Sequence, residues 1–168
     1  MPESNVVRVK RDVQIVLYNS GATLSYTVSL EAGDFNFAVP DTTVVNPLDR
    51  GELGATPQLR KGDDQPMTGG FSAYFRDAGD TANAYATLNG IAWRLSGRYE
   101  DTNWTSTHGS NGDVPTVTLS ASYDGTPFGE ADKTLTFPFV VLRANYADGD
   151  PCSLNVTFTS YALKPTLS

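Results

Sequence analysis

Residues 132–161 read DKTLTFPFVVLRANYADGDPCSLNVTFTSY, and this stretch decides the fold. In its first half, four apolar residues alternate with their neighbours at the period of a β-strand: Leu135, Phe137, Phe139 and Val141. The alternation predicts one strongly apolar face, which must be buried. Residues 148–151, Asp-Gly-Asp-Pro, are typical of a tight turn, and Leu154, Val156 and Phe158 then alternate in the same way. The stretch therefore predicts two long strands paired as an antiparallel hairpin.

Pro138 lies inside the longer of these two strands. Proline has no backbone N–H to donate to a ladder, so within sheets it is confined to edges, strand starts and bulges. We therefore expect a sheet edge or a β-bulge at Pro138.

The rest of the chain repeats the strand signal between turns. Alternating apolar and polar residues predict strands in five further segments: 12–18, 23–30, 67–76, 91–99 and 116–123. Phe35, Phe37 and Val39 form either a short third strand or a bent continuation of the second. Residues 80–90 carry the one good helix signal, with Asp80 as N-cap and Gly90 as the stop. The pattern predicts a mainly β protein, an antiparallel β-sandwich or barrel-like fold with one short α-helix.

The acidic turn and the two strands around it resemble the C-terminal hairpin of the tail tube proteins of long-tailed bacteriophages. The residues that carry the resemblance are the runs 132–138, 146–151 and 154–158. A mid-chain helix and the polar run that leads into the strand at residue 67 agree with the same family. The resemblance covers residues 12–161. It implies one domain over 1–168, with N-terminal strands at 12–40, a long protruding loop at 41–66, the helix at 80–90 and C-terminal strands at 116–161.

In residues 41–66, proline, glycine and charged residues interrupt every apolar period, which predicts a long loop. Loops of more than about 15 residues are usually functional or mobile, so this one is either a partner-binding segment or a surface insertion. The resemblance implies that it contacts a neighbouring ring. The candidate inter-subunit or inter-ring contacts are its charged residues: Arg50, Glu52, Arg60, Lys61, Asp63 and Asp64. A phosphate or metal site is less favoured there, because mixed cations and carboxylates more often form salt bridges.

Composition limits the class of protein. The 168 residues are 39% hydrophobic and carry a net charge of −7, which indicates a packed acidic domain without the clustered cations of a nucleic-acid-gripping protein. The lone Cys152 cannot form an intrachain disulfide, and residues 1–11 lack the apolar core of a signal peptide. No stretch approaches the ~20 apolar residues of a membrane span. We expect a soluble protein of cytoplasmic origin with no membrane insertion, and the resemblance implies that it is made in the cytoplasm of a host bacterium.

The sequence offers no converging set of catalytic groups. His108 is the one histidine and lies in a Gly/Ser-rich loop, where a surface side chain is expected. Cys152 follows a proline at a strand start and is expected to be a small buried side chain. Asp148 and Asp150 offer a weak calcium possibility, but the turn already explains both. We therefore expect neither an enzyme nor a cofactor or metal site.

The resemblance implies a structural virion protein that assembles into hexameric rings, stacked as the phage tail tube through which DNA passes without specific binding. It implies the same chain as partner, together with tape measure, tail terminator and baseplate proteins. Six copies would carry a charge of −42, and any share facing the lumen would repel DNA.

The alternative is a monomeric β-sandwich adhesion or carbohydrate-binding module, in which Tyr99 and Trp104 form a sugar-stacking platform beside Asn103. Trp104 either projects from the exposed loop at 100–115 or folds back onto the core, and burial is the commoner fate of large aromatic side chains. The sequence leaves the lumen-facing residues open.

Overall fold

A computed structural model describes residues 13–28, 35–41, 44–45, 60–74, 104–108 and 114–168; at positions 44, 45, 60 and 128 it describes the backbone alone. These residues hold ten β-strands: β1 (Val13–Tyr18), β2 (Ser25–Val28), β3 (Asn36–Ala38), β4 (Val44–Val45), β5 (Arg60–Lys61), β6 (Met67–Tyr74), β7 (Val117–Tyr123), β8 (Lys133–Ala147), β9 (Ser153–Ser160) and β10 (Thr166–Leu167). Short 3₁₀ turns lie at Ser20–Ala22 and Thr126–Phe128. The prediction of a mainly β, antiparallel protein is confirmed.

Eight of the strands form one sheet in the order β2-β1-β7-β8-β9-β6-β3, and β10 pairs with β8 as well. The predicted hairpin of β8 and β9 is confirmed, with Val140 opposite Ser160 and Ala147 opposite Ser153. Within the predicted segment 34–39, Asn36–Ala38 form a separate strand, β3, which pairs with β6. The remaining strands, β4 and β5, form a small ladder of their own.

β8 contains the bulge that Pro138 predicts. Opposite β7, the register shifts between the pairs Val117–Val140 and Leu119–Phe137, so β8 has one extra residue there. Phe139 takes a φ of 53°, in the left-handed region. The bulge reverses which residues face the core, and the predicted apolar face is wrong beyond Phe137. Phe139 is 40% exposed, whereas Val140 and Leu142 are fully buried.

Aromatic contacts show that the sheet folds across its own apolar face. Phe37 on β3 pairs with Gly69 on β6, and Gly69 pairs with Phe158 on β9. Phe37 is therefore three strands away from β8 in the sheet order. In a flat sheet, with strands 4.8 Å apart and residues 3.3 Å apart along a strand, the Cα atoms of Phe37 and Phe137 would be separated by roughly 20 Å. The two ring centroids are 5.0 Å apart. The first part of β8 therefore packs over the ladder of β9, β6 and β3, an arrangement compatible with a β-sandwich or a partly closed barrel.

The core lies between these two layers. One layer contains β2, β1, β7 and the first part of β8; the other contains the second part of β8 with β9, β6 and β3. Both contribute buried side chains at alternate positions: Ile15, Leu17, Val117, Leu119 and Phe137 from the first, and Leu142, Leu154, Val156, Phe158, Met67 and Phe71 from the second. Fully burying a side chain of this size contributes about 1.5–3 kcal/mol, so this contact holds the two layers together.

Three predictions concern residues outside the described ones: the helix at 80–90, the strand at 91–99 and the middle of the loop at 41–66. Within that loop segment, β4 and β5 show that its two described ends pair through Val44–Lys61 and Val45–Arg60. Cys152 is half-buried rather than buried as expected, because it lies in the turn between β8 and β9.

Candidate functional site

The predicted contact surface is the set of charged residues between positions 50 and 64. Arg50 and Glu52 lie outside the described residues, and Arg60 is described by its backbone alone, which pairs with Val45. Lys61 and Asp64 are brought together: Lys61 Nζ lies 2.7 Å from Asp64 Oδ1 and also donates to Oδ2 at 2.9 Å. Asp63 is exposed beside them.

The Lys61–Asp64 pair contributes little to the stability of the subunit. The two side chains are 58% and 42% exposed. Exposed ion pairs of this kind typically contribute ~0–1 kcal/mol, because water screens the attraction and two side chains lose freedom. The segment therefore presents an ordered, charged surface whose side chains remain accessible to another molecule.

The outer face of the second layer is a polar surface. We call it the ladder face; it consists of alternate residues of β6, β9 and the second part of β8: Thr68, Gly70, Ser72, Tyr74, Val141, Arg143, Asn145, Ala147, Ser153, Asn155, Thr157 and Thr159. Ser72 Oγ donates to Asn155 Oδ1 at 2.9 Å across the two strands. Most side chains of this face carry hydroxyl or amide groups, and Arg143 is its one charged residue.

The outer face of the first layer is less accessible. On β7 and the first part of β8 its hydroxyl groups are half-buried or buried, as at Thr118, Thr134 and Thr136, and Ser120 is 8% exposed, whereas Ser25 and Thr27 on β2 are exposed. On the ladder face, by contrast, Thr68, Arg143, Asn145, Asn155 and Thr157 are all exposed. Of the two outer faces, the ladder face is the more open to solvent, because its two central strands carry exposed residues at Arg143, Asn145, Asn155 and Thr157.

Carboxylates are kept off the strands in the part of the chain that the structure describes. Every described Asp and Glu lies in a turn or connection: Asp41, Asp63, Asp64, Asp124, Glu130, Asp132, Asp148 and Asp150. At 3.3 Å per residue, Asp148 is roughly 16 Å along the chain from Arg143, beyond the screening length of physiological salt. The ladder face is therefore neutral apart from its arginine.

Asp132 has a structural role in the turn before β8. Its Oδ1 accepts a hydrogen bond from Gly125 N at 2.8 Å and one from Thr126 Oγ1 at 3.3 Å. The Gly125 hydrogen bond, followed by those from Thr126, holds the pKa of the Asp132 carboxyl below its ordinary value.

Trp104 is 2% exposed and packs in the core. Two backbone hydrogen bonds fix the segment that follows Trp104. Ser20 N donates to Thr105 O at 3.0 Å, and Thr107 N donates to Thr116 O at 3.0 Å. In this position the indole ring cannot stack on a sugar, and Tyr99 and Asn103 lie outside the described residues. The core alternative for Trp104 is confirmed.

An open cavity of about 460 Å³ adjoins the bulge. It is lined by Tyr18, Asn19, Ser20, Gly21, Ala22, Thr107, Thr118, Pro138 and Phe139. These residues provide apolar and neutral polar groups, without the pair of titratable side chains that general acid–base catalysis needs.

The remaining candidate groups for chemistry are engaged in local contacts. His108 Nε2 hydrogen-bonds the backbone oxygen of Val114. The Cys152 thiol accepts from Tyr146 Oη at 3.2 Å and reaches Gly149 O at 3.3 Å, and the contact with Cys152 raises the pKa of Tyr146 to about 12. Across the described residues, no three His, Cys, Asp or Glu side chains converge as metal ligands. A search of those same residues finds no helix with the length and hydrophobicity to cross a membrane.

Comparison with solved structures identifies the fold. The chain has the fold of chains from an anti-feeding prophage and from an extracellular contractile injection system. It matches a chain of the anti-feeding prophage baseplate with a TM-score of 0.60 at 7% identity, over 99% of this chain and 97% of that one. It matches a chain of the sheath-tube complex of the injection system, in its extended state, with a TM-score of 0.52 at 8% identity, over 98% and 92%.

A third match is a chain of the anti-feeding prophage cap, the tube-terminating cap, with a TM-score of 0.52 at 8% identity, over 100% of this chain and 94% of that one. No protein-family model and no curated protein matches the sequence. The shared fold spans nearly the whole of each chain.

Proposed function

We propose that the chain is a structural subunit of a phage-tail-like particle and that it forms hexameric rings stacked as a tube. One observation carries the proposal: the fold is shared, end to end, with chains of a sheath-tube complex and of a baseplate. The sequence of the β8–β9 hairpin supports the same family independently, because its resemblance to tail tube proteins rests on residues rather than on backbone shape.

The sheet is suited to lateral assembly. Among the described strands, β2 and β3 end the main sheet and have a partner on one side alone. A free strand edge presents unpaired N–H and C=O groups that can pair with another chain. Two different edges on one subunit give a head-to-tail contact, which closes into a ring when the rotation is right. Pairing of β2 with the next subunit's β3 would join the sheets of six subunits around a channel.

The proposed partners follow from this assembly. The first is the same chain, within a ring and between rings, with residues Arg50, Glu52, Arg60, Lys61, Asp63 and Asp64 at the contact. The likeness to baseplate and cap chains supports further contacts at the two ends of a tube, with baseplate and tail terminator proteins, and a tape measure protein in the channel. The protein would act in the virion, as a conduit for DNA.

Two other functions receive less support. A carbohydrate-binding module needs an exposed aromatic platform, and Trp104 is 2% exposed. An enzyme needs a nucleophile or a metal beside a general base. The described residues bring no such groups together, and the open cavity at the bulge has no acid–base pair.

Negative-stain electron microscopy tests the proposal. The purified protein is imaged at low and high concentration, after prolonged incubation, and after addition of preformed tail baseplates from the same particle as a template. Rings or tubes of uniform width with a central hole are expected. If the protein remains as small globules under all these conditions and also binds soluble glycans, the tube function is refuted and the carbohydrate-binding module is supported.

A further inference from the structure

The ladder face is the surface of the described residues best suited to line a channel. A channel wall must remain wet, and this face is the more exposed of the two outer faces over its central strands. We propose that the ladder face lines the channel and that Arg143, repeated in each subunit, forms a cationic ring that binds the phosphate backbone of nucleic acid. The proposal rests on the tube function above and specifies its cargo contact.

The surroundings of Arg143 leave its charge available. Its cross-strand neighbour is Thr157, and Val141 and Asn145 flank it on the same strand and face. On the next strand over, Thr157 pairs with Gly70, which has no side chain to cover the guanidinium. No described carboxylate lies on this face, so Arg143 has no ion-pair partner among the side chains that share it.

The chemistry of the other side chains favours nucleic acid over an acidic polypeptide. Phosphate and sugar oxygens accept hydrogen bonds from Arg, Ser, Thr, Asn and Tyr, and these types supply most of the side chains of this face. A nucleic acid carries evenly spaced phosphates, so some phosphate would be near the ring of six arginines wherever the strand stood in the channel. The charges of a polypeptide are unevenly spaced. The contact would be independent of sequence and weakened by salt.

This inference reverses the expectation that the lumen repels DNA. The net charge of −7 suggested repulsion, but the described carboxylates lie in turns at strand ends. An uncharged wall with one sparse ring of cations would bind a nucleic-acid strand weakly, without stopping its passage.

The location of the ladder face is tested first, in assembled tubes on a Cys152→Ser background. Thr157→Cys places a thiol on the ladder face, and Gln14→Cys places one on the outer face of the first layer. Each is treated with a small maleimide and with a maleimide carrying a polymer too large to enter the tube. We expect Thr157→Cys to react with the small reagent alone in tubes and with both reagents in free subunits, while Gln14→Cys reacts with both in either state. If Gln14→Cys is protected from the large reagent and Thr157→Cys is not, the ladder face does not line the channel, while the proposed tube function still holds.

The cation ring is tested by retention of a fluorescent 12-nucleotide single strand on sedimented tubes. Wild-type tubes are expected to retain it at low salt, and Arg143→Gln tubes to retain about tenfold less, because all cations of the ring are lost. Lys164→Gln removes the same charge outside the ladder face and should retain as much as wild type. Equal retention by Arg143→Gln, or equal retention of a polyglutamate peptide of the same charge, would overturn the proposal. Failure of the wild-type protein to form tubes at all would instead refute the tube function.

Discussion

Phe139 is the residue on which the shape of β8 depends. Its φ of 53° lies in the region where an L-residue is strained by roughly 1–2 kcal/mol, and its ring is 40% exposed. The strain is accepted because the bulge turns Val140 and Leu142 into the core. The adjoining Pro138 carbonyl is satisfied by Ser160 Oγ, which donates to it at 2.6 Å.

We predict that Phe139→Gly is more stable than Phe139→Ala by about 1 kcal/mol. Both changes remove the ring, but glycine alone adopts this φ without strain. The measurement is the free energy of unfolding in urea for the two variants. The same pair of substitutions at Asn145, an exposed strand residue with negative φ, should give the opposite order, since glycine weakens a strand interior. Equal stabilities at position 139 would show that the backbone is not strained there.

Asp132 gives a second prediction, concerning pH. Its pKa is lowered in the folded protein by the hydrogen bond from Gly125, so its stabilising effect is present above the pKa of the unfolded chain. The effect is lost as the pH falls through the lower folded pKa. Asp132→Asn should therefore lower the urea midpoint at pH 7, and the difference from wild type should shrink between about pH 5 and pH 2. A difference that stays constant over this range would contradict the assigned role.

At the scale of elements, the edge strand β3 depends on a glycine opposite it. An added Cβ at Gly69 would overlap both the Asn36 carbonyl oxygen and the Phe158 ring, whereas one at Gly70 would come 3.0 Å from the Val156 carbonyl oxygen. We expect Gly69→Ala to destabilise the subunit by about 1–3 kcal/mol, as overpacking does, and Gly70→Ala by less. Urea unfolding measures the first effect. If β3 is the edge that pairs with the next subunit, Gly69→Ala should also shorten the tubes seen by electron microscopy. Equal effects of the two substitutions would contradict this docking of β3.

The elements themselves were largely predictable, and their pairing was not. Alternation at Ile15 and Leu17, and again from Leu154 to Phe158, identifies strands because each strand buries one face. The phase reversal after Phe137 was missed, since periodicity carries no signal for an inserted residue; Pro138 alone indicated it. The position of β3 beside β6 rests on contacts between residues far apart in sequence, which local pattern does not encode.

At the scale of the whole molecule, the sequence identified a charged segment but not the ladder face. A charged run such as residues 60–64 can be recognised directly from its sequence. The ladder face brings together β6, β9 and the second half of β8, and its neutrality becomes apparent once the bulge has placed Arg143 and Asn145 outward. If the ladder face lines a channel, net charge is a poor guide to the charge of that channel, because net charge does not tell where the carboxylates lie.

The segment at β5 supports the last prediction, which concerns assembly rather than folding. Lys61→Glu breaks the Lys61–Asp64 pair, but the pair is exposed, so the free energy of unfolding should change by less than about 1 kcal/mol. If the segment contacts a neighbouring ring, the same change should greatly reduce tube length, measured by electron microscopy and sedimentation. Lys164→Glu alters the net charge equally at another exposed site and should leave the tubes intact.

A charge swap then separates a contact between subunits from a contact within one. The double variant Lys61→Glu with Asp64→Lys restores an attractive pair inside the subunit but reverses the charges that a neighbour would meet. We expect assembly to remain impaired in the double variant, because a neighbouring ring would still present the wrong complement. Recovery of full-length tubes would mean that Lys61 and Asp64 order their own loop and do not bind the next ring.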